Sequence, residues 1–492
     1  MSRAAGLLAC FGLNLATFTL LVGTPAPVEA AQGDLQLVSQ TFNVPADGSV
    51  TATLALPARL AGTDVTTAEV VVTVYQRIED RAETGRVIDA AADGDYPRPD
   101  DVVTISPGCC VGSQPGQFTV TVPLEVAEVS PAALSIPRPG LYPLTVALQR
   151  DGKVLASMLS FFNRLPGADE SNDTRAMNVA VAISTRSTIH VDSSGRVSLD
   201  STAAAEATTL AEALEALTAN QFPATVRVTP RVLSVLRERE PDLFTRLITS
   251  LQAHQVVVEP QWPLDASVAA AAQQDQLYTA WWRAGKDSLR ELGLGPSLIS
   301  TSSVLVDSAI GSAGASLRRN LGAELIVMSP EIYDDLDGSI QAFTDFTGGL
   351  VSADLPNGTS IDIAVVDHII SEMLAHPLAS PELTRISVVA NLLGLRQDIV
   401  TSGASAGRHS VVIAAPDLGV PDPRLLGAIT ALIVETPGLT PTTVDEVGFQ
   451  TDRLLVDGEE SSVTLPAANA TDLRERIFRR AVLGNEIDAV AS

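Results

Sequence analysis

The segment Glu259-Pro260-Gln261-Trp262-Pro263-Leu264-Asp265 sets two carboxylates, a primary amide and an indole close together after an apolar run. That is the equipment of a sugar-binding subsite: an aromatic plane, a hydrogen-bonding amide and acids for proton transfer. Asp307 follows the next apolar run. Glu259 with Asp307 would supply the acid and base of glycosidic-bond cleavage at a separation of about 5–10 Å. Glu259, Asp265 and Asp307 are therefore the catalytic candidates, and Gln261, Trp262 and Arg231 the substrate-binding ones. A structural reading competes with this one. Asp307 and Asp417 precede helical stretches, where an acid caps or complements the first turn, and Trp262 plugs one end of the fold.

Other chemistries have weaker signals. His368 and His376 fall on different faces of one helical segment, and His190, His254 and His409 stand at loop or helix ends without ligand spacing. There is no G-x-S-x-G elbow for a nucleophilic serine and no Gly-rich phosphate loop. No metal and no cofactor is expected. Cys109 and Cys110 are adjacent, and with Cys10 in a leader they have no further partner in the chain. A vicinal disulfide, free thiols and a bond to another molecule all stay open, at a rigid loop tip or a redox site.

Acidic residues number 58 against 32 basic ones, a formal charge of -26. Such a chain is repelled by phosphate backbones and anionic lipid, which excludes general nucleic-acid binding. Its 492 residues suit two or three domains. Arg3, the apolar run to Val22 and Val28-Glu29-Ala30 read as an export signal over residues 1–30, with an uncleaved anchor as the alternative and the only expected membrane contact. An extracytoplasmic location, secreted or envelope-associated, follows.

Residues 31–166 alternate with period two in about seven strands without a helical stretch, and Asp151-Gly152 marks a tight hairpin. This predicts an immunoglobulin-like β-sandwich. Residues 167–175 form a polar linker. Over residues 176–450, continuous apolar strands alternate with helices, with strands expected at Asn178 to Ile183, Ala224 to Thr229, Gln255 to Glu259, Leu298 to Val306, Glu324 to Met328, Ile361 to Val366 and Ser410 to Ala415. The fold class is thus multidomain, a sandwich followed by an irregular seven-unit (β/α) barrel, whose reactive face is the C-terminal end of the strands. Residues 451–492 extend it with a charged helix, Asp472 to Asn485.

Several short motifs resemble a secreted actinobacterial family, the domain of unknown function 6049. They are Gly140-Leu141-Tyr142-Pro143-Leu144-Thr145-Val146, Phe161-Phe162-Asn163-Arg164-Leu165-Pro166, Val228-Thr229-Pro230-Arg231-Val232-Leu233, Arg408 to Pro416 and Pro437 to Val444. The resemblance implies a barrel related to the glycoside hydrolase and polysaccharide deacetylase superfamily, in an envelope protein often encoded near peptidoglycan-precursor export. Family members commonly continue into further β-structure and a membrane helix, whereas this chain stops at Ser492. The family's acid after the third strand matches Asp265, and its turn acid after the fourth matches Asp307. The Asp-Asp pair of deacetylases is replaced by Val181-Ala182-Ile183-Ser184-Thr185, and the glycosidase-type His-x-x-Gln-Pro is missing. The expectation is a non-catalytic glycan-binding or interaction module in cell-wall assembly, whose partners are wall glycan or envelope proteins. A carbohydrate-active hydrolase and a structural scaffold are the alternatives.

Overall fold

The computed structural model describes residues 35–60, 68–93, 99–105, 116–125, 133–168, 170, 176–187, 189–191, 197–199, 202–339, 348–456 and 458–467. The expected leader, Cys109, Cys110 and the charged helix Asp472 to Asn485 lie outside the described residues.

The N-terminal unit consists of two sheets. One holds β1 (Gln36–Gln40), β3 (Ser49–Ala55), β6 (Gln117–Glu125) and β7 (Leu134–Ser135). The other runs β2 (Asn43–Val44), β9 (Lys153–Arg164), β8 (Gly140–Arg150), β4 (Glu69–Tyr75), β5 (Pro99–Ile105). Alternation decides which side chains go in. Val50, Ala52 and Leu54 of β3 and Val70, Val72 and Val74 of β4 are all buried in one cluster, as period-two strands require. Asp151-Gly152 turns β8 into β9 with φ of 52° and 72°, the left-handed pair of a two-residue hairpin. One element departs from the helix-free expectation. Helix α1 (Arg81–Asp93) lies between β4 and β5, and its start is marked by Asp80, whose Oδ1 accepts the Glu83 N–H at 2.6 Å.

The second unit follows the βα alternation. Its parallel strands are β10 (Met177–Ser184), β13 (Ala224–Arg227), β14 (Gln255–Val257), β15 (Ile299–Ser300), β16 (Ser303–Val306), β17 (Leu325–Met328), β19 (Ser360–Val365) and β20 (Ser410–Ile413). A small hairpin, β11 (Ile189–Val191) with β12 (Val197–Leu199), leaves after β10. The covering helices are α2 (Ala203–Ala219), α3 (Pro230–Arg239), α4 (Pro241–Leu251), α5 (Ala266–Ala271), α6 (Asp275–Glu291), α7 (Ser312–Asn320), α8 (Pro330–Asp334), α9 (His368–Ala375), α10 (Pro381–Thr401) and α11 (Pro423–Glu435).

The sheet is a partial barrel in two arcs. One arc is β15-β14-β13-β10-β20 and the other begins β16-β17-β19. The strand expected over Leu298 to Val306 breaks at Thr301-Ser302, and the opposite seam is a single bridge, Val366 to Val412. Three further pieces were not expected. Strand β18 (Val351–Asp354) runs antiparallel to β19, β21 (Leu439–Thr442) adds beside β10, and α12 (Val444–Gln450) follows behind a capping box of Thr443 and Glu446. Beyond them β22 (Leu455–Val456) pairs with β23 (Glu459–Glu460), and β24 (Ser462–Val463) returns to β18.

Three clusters show which way each strand faces. Ala180, Ala182, Val257, Leu305, Leu325, Val327, Ala364, Val366, Val412 and Ala414 belong to an inner cluster. Their neighbours Val181, Val256, Val304, Ile326, Ile363 and Val411 belong to outer ones. The lumen is therefore filled by aliphatic side chains, Ala, Val and Leu. Val444 and Val447 of α12 join the same inner cluster. Asp445 on α12 accepts hydrogen bonds from Ser300 Oγ at 2.7 Å and from Ser303 Oγ, holding the broken strand together across its gap.

The two units share a continuous core. Helix α1 packs on α10, where Gly394 leaves room: a Cβ there would stand 3.0 Å from the Arg81 Cα. Arg81 N donates to Asp398 Oδ2 at 3.0 Å and its guanidinium pairs with Asp367 at 2.6 Å, at exposures of 3% and 0%.

Candidate functional site: the barrel mouth

Inward parity carries past the strand ends. Leu305 faces the lumen, so Asp307, two residues further on, faces it too, while Glu259, beyond the end of β14, turns its carboxylate to Arg318 of the covering helix α7. Arg227 of β13 sits two residues beyond Thr225, whose Oγ1 accepts the N–H of Val444 on the lumen plug at 3.0 Å. Arg227, Glu259, Asp265, Asp307 and Arg318 line one cleft of about 300 Å³. The three catalytic candidates are thus brought together.

Each of the three already has a partner. Arg318 Nη2 donates to both Glu259 oxygens at 2.7 and 2.8 Å, and its Nη1 to Val258 O at 3.1 Å. Burial works against the Arg318 charge, but Glu259, Tyr278 and Asp265 around it together outweigh this and hold the guanidinium above its ordinary range. Arg227 Nη2 meets Asp307 Oδ2 at 2.7 Å while its Nη1 donates to Leu305 O at 2.8 Å. Asp265 is the N-cap of α5, accepting Val268 N–H at 2.8 Å. Behind the pair, Tyr278 is fully buried and its hydroxyl has no hydrogen-bond partner. Burial raises that phenol above its usual range, so it stays neutral.

The substrate-binding candidates turn elsewhere. Arg231 and Gln261 line a separate groove of about 440 Å³ beside α3 and α6. Trp262 carries the Arg231 guanidinium 4.9 Å above its ring, so one face of the aromatic plane is already covered. The segment Glu259–Gln261 is seated against α6 through Gly285, where a Cβ would lie 2.0 Å from Glu259 O.

Among the other strand ends, Asp367 points away from the lumen, since Val366 faces it. It caps α9 through Ile370 N–H at 3.0 Å as well as pairing with Arg81. Asp417 and Leu418 have φ of 51° and 60°, a conformation that costs a side-chain-bearing residue about 1 kcal/mol or more. The turn puts Leu418 into the inner cluster and leaves Asp417 to an exposed pair with Arg186. No group of three His, Cys, Asp or Glu suited to a metal ion occurs among the described residues.

Arg227 and Arg318 are the mouth residues that the sequence reading passed over. A signal exists for Arg227, because a charged residue inside a buried strand calls for a partner. Arg318-Arg319 in the last turn of α7 reads as ordinary complementation of a helix C-terminus.

No protein-family model and no curated protein matches the chain. Some solved structures are similar to part of it at low identity. The 4-alpha-glucanotransferase from Thermococcus litoralis is 13% identical with a TM-score of 0.44, covering 59% of this chain and 42% of its own. A putative polysaccharide deacetylase from Mycobacterium smegmatis is 13% identical with a TM-score of 0.34, over 59% of this chain and 98% of its own. A GH57 branching enzyme from Thermococcus kodakaraensis is 10% identical with a TM-score of 0.36, over 62% and 77%. The chain spans under half the length of the glucanotransferase it matches. Among the described residues, no helix is long and apolar enough to cross a membrane.

Proposed function

We propose that this chain is a carbohydrate-recognising barrel protein that holds a glycan at the cleft of Arg227, Glu259 and Asp307 without cleaving it. One observation carries this reading: each of the three candidate carboxylates at the mouth is taken by an arginine or a helix N-terminus. A general acid or base must present a carboxyl oxygen to the substrate, and a carboxylate already bonded to an arginine or a helix N-terminus has fewer oxygens to offer. The same paired groups suit neutral hydroxyls, since arginine donates and carboxylate accepts with fixed geometry. An extracytoplasmic location, a wall glycan as ligand, an immunoglobulin-like N-terminal module and membership of the resembling family complete the proposal.

Calorimetric titration of the full chain with peptidoglycan fragments tests it. Saturable binding is expected, weakened about tenfold by Asp307→Asn, which removes one charged hydrogen-bond acceptor. No binding to any wall polymer sinks the glycan reading. The second reading, hydrolysis, is favoured by the convergence of three acids on one open cleft and predicts release of reducing sugar that Asp307→Asn abolishes. Glu259→Gln is the poorer probe. It strands the buried Arg318 charge, which costs about 3–5 kcal/mol of stability, so lost activity would report on folding.

A further inference from the structure

We infer that the cavity between the N-terminal unit and the barrel binds an oxyanion, a phosphate or carboxylate group carried by a small ligand. The cavity has a volume of about 370 Å³, and its walls include Arg77 and Arg164 from one unit and Arg396 and Gly438 from the other. Among the described residues, three arginines line it and no Asp or Glu does, in a chain where acidic residues outnumber basic ones by 58 to 32. The exclusion of carboxylates from these walls is the feature that points to an anion.

Arg164 is 1% exposed. Its Nη1 donates to Glu170, whereas its Nε has no hydrogen-bond partner. That nitrogen is sealed from solvent, so Arg164 acts on the cavity as a cationic group in its wall rather than through an open donor. Arg77 donates to Glu79 and, through Nη1, to Pro139 O at 3.2 Å. Glu79 and Glu170 hold these arginines from outside the cavity walls. Glycine shapes the walls at two positive-φ positions. A Cβ on Gly140 (φ 140°) would stand 2.7 Å from Arg77 Cδ, and one on Gly438 (φ 93°) 2.8 Å from Arg396 Nε. Both arginines therefore lie along bare backbone, one from each unit. Planar guanidinium groups match the paired oxygens of phosphate and carboxylate, and an anion held here would bridge the two units.

The test titrates the full wild-type chain with inorganic phosphate and, separately, with citrate at constant ionic strength. Saturable binding of at least one is expected, with affinity reduced about tenfold or more in Arg396→Gln and in Arg77→Gln. Preference for phosphate identifies a phosphoryl group, and preference for citrate a carboxylate. Absence of saturable binding to either anion in the wild type overturns the proposal, as does unchanged affinity in both variants. A phosphate-soaked crystal of the wild type gives a readout independent of variant folding: anion density beside Arg164 and Arg396 supports the site, and density only elsewhere overturns it.

Discussion

His254 shows how burial sets a side chain's chemistry. Its Nδ1 accepts the Ala224 N–H at 3.2 Å, and its Nε2 faces Leu214 O at 3.1 Å. Only the neutral ring with its proton on Nε2 satisfies both. Burial holds the pKa below the ordinary histidine value, although the Leu214 carbonyl favours the charged form. The unfolded chain then takes up a proton near pH 6.5 while the folded chain resists, so stability rises with pH in that window. Stability from this residue is complete above about pH 6.5 and declines as pH falls toward the depressed folded pKa. Urea midpoints followed from about pH 8 to about pH 5 should drop on acidification, and His254→Gln should flatten that part of the profile. An identical slope in the variant would remove His254 as the cause. At the mouth the same scale separates two acids: Glu259 is locked on a buried arginine, while the Asp307 pair keeps more contact with solvent.

Two glycines in helices make opposite predictions for elements. In α6, Gly285 lets the helix backbone approach the exit of β14, and an added methyl would meet Glu259 O at 2.0 Å. Gly285→Ala must push the helix off the strand, with a cost of about 1–3 kcal/mol or more and a displaced Glu259–Arg318 pair. In α1, Gly85 has nothing within 4 Å of an added methyl, so Gly85→Ala gains about 0.5–1 kcal/mol from helix propensity. Denaturant unfolding of both variants checks the signs, and a stabilising Gly285→Ala would mean that α6 does not pack as described. Elements also show what was legible. The barrel strands were readable because a parallel sheet covered on both faces writes itself as apolar runs between helical stretches. Helix α1 was missed because Gly85 and its alanine-rich end carry weak periodicity, although Asp80 and Glu83 mark its start. The broken fourth strand was missed because Thr301-Ser302 continues the β-like composition and only the neighbouring register shows the gap.

For the whole molecule, the buried Arg81–Asp367 pair joins the N-terminal unit to the barrel. Removing one member leaves the other charge in the interior, at a cost of about 3–5 kcal/mol. Arg81→Met should therefore lower the melting temperature strongly, and combining it with Asp367→Asn should recover much of the loss because no lone charge remains. A double variant as unstable as the single one would show that packing rather than charge holds the units together. The shared core and the contacts of α1 on α10 predict one cooperative unfolding transition rather than two.

Local pattern alone determined most of the barrel strands, their ends and the acidic residues standing there, because periodicity and turn chemistry act over a few neighbours in the chain. Only the tertiary structure decided what those residues meet. Arg318 reaches Glu259 from 59 positions away and Arg227 reaches Asp307 across 80. Whether a carboxylate is free or neutralised depends on such distant partners, and electrostatics works through space rather than along the sequence.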